Sequence, residues 1–205
     1  MNKKSGFYSA MAVTITTFLF AVAMIIGNDT VFYFVCMLLS WGYILLTCSF
    51  VVEVTHERKA PAYGGMAFAC LYGVFINLVY FTQLTTVANK TASTEVLKIL
   101  SYQSLGSLMF NLDLFGYGMM AISTLLIGIA VNPKNKSDKW LKALLMIHGI
   151  FTPACVIIPM LNIFNSHMGP SGDFIGIIVL LIWCIYFIPI GILSTMHFKK
   201  NNVNL

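Results

Sequence analysis

The chain has 205 residues, of which 59% are hydrophobic and 9% are charged, whereas ordinary soluble domains carry roughly 25% charged residues. So few charges cannot cover the surface of a soluble globule, and the composition therefore predicts an integral membrane protein surrounded by lipid. The net charge of +5 lies in short segments between apolar runs, without the basic face of a nucleic-acid-binding surface, so no nucleic acid is expected as a partner.

Six apolar runs are long enough to cross a bilayer as helices, because a hydrocarbon core about 30 Å thick needs about 20 helical residues. They lack the alternation of apolar and polar residues that is typical of membrane β-barrels. We therefore predict an all-α, polytopic transmembrane helix bundle of six helices that forms one domain over residues 1–205. The predicted spans are 7–26, 31–52, 64–87, 107–131, 140–161 and 174–198.

The longest connection, 88–106, follows the third run. Within it, residues 94–100 have a pattern that fits one or two amphipathic helical turns at the membrane interface, although an ordinary polar loop fits equally well. The last connection, 162–173, contains His167 and a Gly-Pro-Ser-Gly sequence typical of a turn.

The basic residues predict an orientation, because segments on the cytoplasmic side of a membrane are enriched in Lys and Arg. With the N-terminus in the cytoplasm, only Lys90 and Lys98 lie outside. The ten basic residues then inside are Lys3, Lys4, Arg58, Lys59, Lys134, Lys136, Lys139, Lys142, Lys199 and Lys200. We therefore expect both termini in the cytoplasm, which agrees with an even number of crossings.

Polar residues within the runs are the candidates for function, because such groups are costly in a bilayer unless they are partnered or hydrated. Asp113 is the carboxylate that lies well inside an apolar run, and Tyr117 follows it one turn later. Both can face His148 and Thr152 on the next, antiparallel helix. Asn77, Tyr117 and His148 lie about halfway through their spans, and Asp113 lies nearer the outer surface. Together with Thr152, these residues predict a polar ligand or proton site. The alternative for each is a structural hydrogen bond or simple packing.

Proline positions bear on the same region. Pro153 cannot donate a backbone hydrogen bond and therefore leaves the carbonyl of Gly149 without its usual helical partner. A free carbonyl at membrane depth needs protein or water beside it. This favours a small polar cavity beside the fifth helix, although proline kinks also occur in helices that bind nothing.

Several membrane chemistries lack their residues in this sequence. An aspartyl protease needs two facing carboxylates, a retinal protein needs a lysine within a helix, and a bis-histidine haem site needs two imidazoles at suitable depth. The five cysteines all lie in apolar runs without CxxC or Cys/His spacing, which predicts structural thiols rather than a metal site. We therefore predict no metal and no cofactor, and we favour a non-enzymatic function.

Residues 113–118, 123–126, 139–142 and 148–151 resemble parts of small multi-pass membrane proteins of Gram-positive bacteria that have no established activity. The resemblance implies a bacterial cell membrane and transfers no catalytic residue. Our leading hypothesis is a protein that binds or passes a small solute or proton among its third, fourth and fifth helices. The alternative is an accessory, sensory or immunity-type protein that contacts another membrane protein, with residues 95–100 as the contact surface; an unrecognised membrane enzyme comes third.

Overall fold

The computed structural model describes residues 2–162 and 170–200, and this part of the chain is helical, without β-strands. A 3-10 turn at His56–Arg58 precedes the third helix, and a π-helical segment at Gln83–Val87 continues it. The α-helices are α1 (Asn2–Ile26), α2 (Asp29–Glu53), α3 (Lys59–Thr82), α4 (Thr94–Leu100), α5 (Leu108–Ala130), α6 (Lys136–His148), α7 (Phe151–Met160) and α8 (Pro170–Lys200).

Within the described residues, six helical stretches are long and apolar enough to cross a membrane. The prediction of an all-α bundle with six such helices is therefore confirmed. These stretches are Asn2–Ile26, Asp29–Glu53, His56–Val87, Leu108–Ala130, Lys136–Met160 and Gly176–Lys199. Several begin before the apolar run does, because polar residues next to a span can continue its helix into the headgroup layer, where water satisfies their side chains.

Both connections that the sequence singled out contain helix. The helical alternative for residues 94–100 is confirmed, since α4 occupies this segment, while its place at the membrane interface stays a prediction. The final helix begins at Pro170, inside the predicted turn, which agrees with the preference of proline for the first turn of a helix. The earlier part of that connection, including His167, lies outside the described residues.

Short capping motifs set the ends of the spans. Gly27 ends α1 with a φ of +72°, a left-handed conformation that glycine adopts without strain. The Asn28 side chain then accepts a hydrogen bond from the backbone N–H of Val31 at 3.1 Å and caps α2. Ser107 and Asn135 cap α5 and α6 in the same way. Polar residues between the apolar runs therefore cap the start of α2, α5 and α6.

The fifth span is two helices rather than one. It breaks at Gly149, between α6 and α7, four residues before Pro153. The Gly149 carbonyl accepts a hydrogen bond from the backbone N–H of Thr152 at 3.1 Å. The carbonyl that proline was expected to leave free is therefore satisfied within a tighter turn, and the break places His148 at the end of α6.

The six spans form a closed ring, and each span packs against its two neighbours. The order around the ring is α1, α2, α3, α5, the α6–α7 pair and α8. The ring closes where α8 packs against α1. Small residues allow the close approach of these helices. Gly65 on α3 lies against α5, where the Ser123 hydroxyl donates to the Gly65 carbonyl at 2.6 Å. Gly191 on α8 lies against Thr14 on α1. The interior of the ring is the place for a site.

The two ends of the ring differ in charge. At one end, Arg58 and Lys142 both donate to the carbonyl of Val131, at 3.2 and 3.0 Å, and so cap the C-terminus of α5. His197 lies at the same end, which we call the basic end. The opposite end carries α4 and the connection from α4 to α5, and we call it the loop end.

Candidate functional site

A cavity of about 280 Å³ lies between α1, α5, α7 and α8 in the loop-end half of the ring. Asp29 and Gln103 lie at its mouth and are exposed. Its deepest residues, Trp183 and His148, are only 5% and 1% exposed. Six aromatic side chains line it: Phe32, Tyr102, Phe110, Tyr117, Phe151 and Trp183. The space is therefore a mainly apolar pocket that reaches the surface at the loop end.

Asp113 lies in the wall of this cavity, on the second turn of α5, and is 2% exposed. Its Oδ1 atom is buried and has no hydrogen-bond partner in the part of the chain that the structure describes. The Tyr80 hydroxyl approaches the Asp113 carboxyl group without the geometry of a hydrogen bond. A buried polar atom without a partner costs about 1–3 kcal/mol, so Asp113 is poorly satisfied by the protein itself.

Tyr117 lines the cavity one turn deeper than Asp113. Its hydroxyl lies 3.8 Å from the Cys36 sulfur. Its ring packs edge-on against Trp183, with 5.1 Å between the ring centroids. Tyr117 therefore presents an aromatic surface, while its hydroxyl is directed toward the thiol of α2.

His148 forms the floor of the cavity, and both of its ring nitrogens have partners. The indole N–H of Trp183 donates to Nε2 at 3.0 Å, and Nδ1 lies 2.8 Å from the Thr124 hydroxyl. An indole nitrogen can only donate, so Nε2 accepts and we assign the proton to Nδ1. This makes His148 a neutral, fully hydrogen-bonded imidazole, so His148 does not supply an imidazolium to Asp113 in this arrangement.

Two of the five predicted site residues lie outside the cavity. The Asn77 amide donates to Ser40 Oγ at 2.8 Å and accepts from Trp41 Nε1 at 2.9 Å, joining α3 to α2. The Thr152 hydroxyl donates to the carbonyl of Gly118 at 3.5 Å, which is a long contact between α7 and α5. The sequence indicated their depth along the helices, but the direction in which each faces depends on which helices are neighbours.

Gln83 is an important residue that the sequence reasoning did not identify. It is the first residue of the π-helical segment and is 3% exposed. Its amide nitrogen donates to the carbonyl of Leu100 at 2.8 Å, and its amide oxygen accepts from the backbone N–H of Tyr102 at 2.9 Å. It therefore holds Tyr102 in the cavity wall. Single π-helical turns often occur at functional sites, but a π-helical turn is not visible in the sequence.

Cys155 and Trp183 also line the cavity, although neither was a predicted site residue. Cys155 was expected to be a buried structural thiol, and it is half-buried. Its position one helical turn after Thr152 is the feature of the sequence that could have pointed to it. The sequence offered no signal for Trp183, because the hydrogen bond to His148 joins residues 35 positions apart.

Apolar side chains fill the ring between the cavity floor and the basic end. Leu145 lies one turn below His148 on α6, and Phe187 lies one turn below Trp183 on α8. Phe187 stacks on Trp183 with ring centroids 4.9 Å apart. Leu145, Phe187 and Ile190 are each at most 2% exposed. The cavity is therefore closed at its inner end by packed side chains.

A second buried polar cluster lies at the basic end. His197 Nδ1 is 2.9 Å from Asp138 Oδ1, and its Nε2 is 2.9 Å from Glu53 Oε2. Asp138 Oδ2 also accepts from the backbone N–H of Lys134 and the amide of Asn135, both at 3.0 Å. An imidazolium with two N–H groups satisfies both carboxylates. The cluster joins α2, α6 and α8 through residues that are far apart in the sequence.

No known protein family, curated protein or solved structure matches the chain. The resemblance to membrane proteins of Gram-positive bacteria therefore stays a prediction. Among residues 2–162 and 170–200, no group of three or more His, Cys, Asp and Glu side chains is placed to hold a metal ion. The cavity and the groups that line it are thus the features from which a function can be inferred.

Proposed function

We propose that the protein is a membrane-embedded binding protein that holds a small solute in the loop-end cavity. The observation that carries this proposal is Asp113, which lines the cavity and whose buried Oδ1 atom has no partner among the described residues. Ligand sites are typically concave and mostly apolar, with a few polar groups that orient the ligand. Asp113 is suited to be such a polar anchor, and the aromatic walls are suited to contact the apolar part of the solute.

Two features favour binding over passage of a solute or proton. The route to the basic end is filled by Leu145, Phe187 and Ile190, which are buried and packed. A proton relay needs a group that can exchange protons with Asp113, whereas the nitrogens of His148 are both occupied by Trp183 and Thr124. The state described by this structure is therefore a closed-ended pocket.

The cavity also favours solute binding over the alternative of an accessory protein. A protein that acts only through contacts with a partner has no need of a cavity, and its polar residues are expected to be used up in packing between helices. Asn77 behaves in this way, because its amide bridges α3 and α2. Asp113 does not, because its Oδ1 atom is buried without a partner among the described residues while Asp113 itself lines the cavity.

Cys155 provides a native reporter for the cavity, and Cys70, which is exposed on α3, provides an internal control. We expect N-ethylmaleimide to modify both thiols in purified protein. A solute in the cavity should slow the reaction at Cys155 and leave the reaction at Cys70 unchanged. Suitable solutes are benzylamine, benzyl alcohol and benzoate, and the modified sites can be identified by mass spectrometry of a digest.

The matched control is Gly176→Leu. Gly176 lines the cavity on α8, and a side-chain atom added there meets open space. Leucine should therefore occupy the cavity without disturbing the helix and should abolish protection of Cys155 by every solute. If none of the three solutes slows modification of Cys155 in the native chain, the proposed function is wrong.

We also propose that the chain lies in a bacterial cell membrane with both termini in the cytoplasm. The grouping of Arg58, Lys142 and His197 at one end of the ring supports this orientation, because basic segments favour the cytoplasmic side. A membrane-impermeant maleimide should then label Lys90→Cys in intact cells, and a reporter fused after Leu205 should be cytoplasmic. An external signal from the C-terminal reporter would contradict the proposed orientation.

A further inference from the structure

We infer that the solute is a protonated organic amine with a small apolar body. This inference rests on the proposed function, because it assigns the chemical class of the ligand to the same cavity. It follows from three properties of the cavity wall: its charge, its aromatic surface and its open hydrogen-bond acceptor.

The first property is charge. Of the described residues that line the cavity, two are acidic, Asp29 at the mouth and Asp113 inside, and none is a lysine or arginine. His148 is neutral because Trp183 donates to it. An anionic solute would therefore meet two carboxyl groups and no compensating cation. A cation would instead compensate a carboxylate in an environment where an isolated charge is costly.

The second property is the aromatic surface. Trp183, Tyr117 and Phe32 contribute rings to the cavity wall, and the faces of aromatic rings attract cations, with tryptophan the strongest. This attraction increases when water is excluded, as it is near Trp183, which is 5% exposed. The same rings bury apolar surface of a ligand. A cation with an apolar body thus uses both properties of these side chains.

The third property is the open acceptor. Asp113 Oδ1 lacks a donor within the described part of the protein, and a carboxylate oxygen can only accept when it is ionised. Because Asp113 lines the cavity, a protonated primary, secondary or tertiary amine held there supplies an N–H donor and the opposite charge to its carboxylate group. A hydrogen bond between charged groups is stronger than one between neutral groups. The geometry therefore favours an amine over an alcohol of the same size.

The test compares benzylamine, benzyl alcohol and benzoate, which have nearly the same size but are cationic, neutral and anionic. Protection of Cys155 from N-ethylmaleimide, with Cys70 as the internal control, measures the binding of each. We expect benzylamine to protect at a concentration about tenfold or more below that of benzyl alcohol, with benzoate the weakest. Equal protection by benzylamine and benzyl alcohol would overturn the amine inference while leaving the proposed solute site intact.

Two matched substitutions locate the origin of the preference. Asp113→Asn keeps the shape of the side chain and removes the charge, so the preference for benzylamine should fall to about twofold or less. Glu95→Gln makes the same change at an exposed position on α4 that does not line the cavity, where the charge is screened by solvent, and should preserve the preference. A preference that survives Asp113→Asn, in protein that melts as the native chain does, would show that Asp113 does not select the amine.

Discussion

Asp113 and Asp138 are two aspartates with the same burial and opposite surroundings. Each is 2% exposed. Asp138, at the basic end, bonds to His197, Asn135 and the backbone of Lys134, whereas Oδ1 of Asp113 has no partner among the described residues. Burial alone therefore does not separate a structural carboxylate from a functional one. The difference lies in how completely the protein satisfies the group.

Removing the satisfied carboxylate should have the largest effect on stability. Asp138→Leu removes one of the two carboxylates that contact His197 and the acceptor for the backbone N–H of Lys134, and breaking one side of a buried charged cluster costs about 3–5 kcal/mol. We expect a markedly lower midpoint in thermal unfolding of the purified protein in detergent.

A double substitution sharpens this test. His197→Leu removes the central group of the same cluster, so the loss in Asp138→Leu/His197→Leu should be much smaller than the sum of the two single losses. Fully additive losses, or a native melting midpoint for Asp138→Leu, would contradict the role assigned to the cluster.

Replacing Asp113 with leucine should change the thermal stability in the opposite direction from Asp138→Leu. Asp113→Leu replaces an unsatisfied buried group by an apolar one of similar size, which removes a penalty of about 1–3 kcal/mol. The variant should therefore melt at or above the native midpoint, while protection of Cys155 by benzylamine is lost. A loss of stability as large as that of Asp138→Leu would show that Asp113 is a structural residue.

Replacing Gln83 tests how the cavity wall is held in place, whereas replacing Asp113 tests the polar anchor for the solute. Gln83→Leu removes the hydrogen bonds to Leu100 and Tyr102, and we expect a loss of about 1–2 kcal/mol. The effect should be local, so amide hydrogen exchange should increase in residues 100–106 and remain native in α5. Uniform acceleration of exchange over the whole chain would contradict a local role.

Thr152 should give the smallest effect, although the sequence placed it in the predicted site. Thr152→Val removes one long hydrogen bond to Gly118, and interhelical hydrogen bonds in membranes contribute about 0.6 kcal/mol on average. The melting midpoint and the protection of Cys155 by benzylamine should both stay close to native. Loss of protection would place Thr152 in the site after all.

The sequence predicted the six spans because their length and apolarity suffice, and each helix satisfies its own backbone hydrogen bonds. It also identified Asp113, because a carboxylate within an apolar run is conspicuous in any arrangement of helices. It did not predict the break at Gly149, since Pro153 allows either a kink or a new helix. It grouped Asn77 with Tyr117 and His148 because depth along the helices was the available coordinate, whereas Asn77 faces Ser40 and Trp41.

Helix content and the depth of each polar residue were thus properties of the sequence by itself, because both follow from local composition and from the rise along a helix. The partners of those residues were decided by the tertiary structure alone. His148 meets Trp183, and His197 meets Glu53, which is 144 positions away. Such contacts depend on the order of helices around the ring and on their rotation, which no local pattern encodes. For this physical reason Asp138 is satisfied and Asp113 is left open beside a cavity.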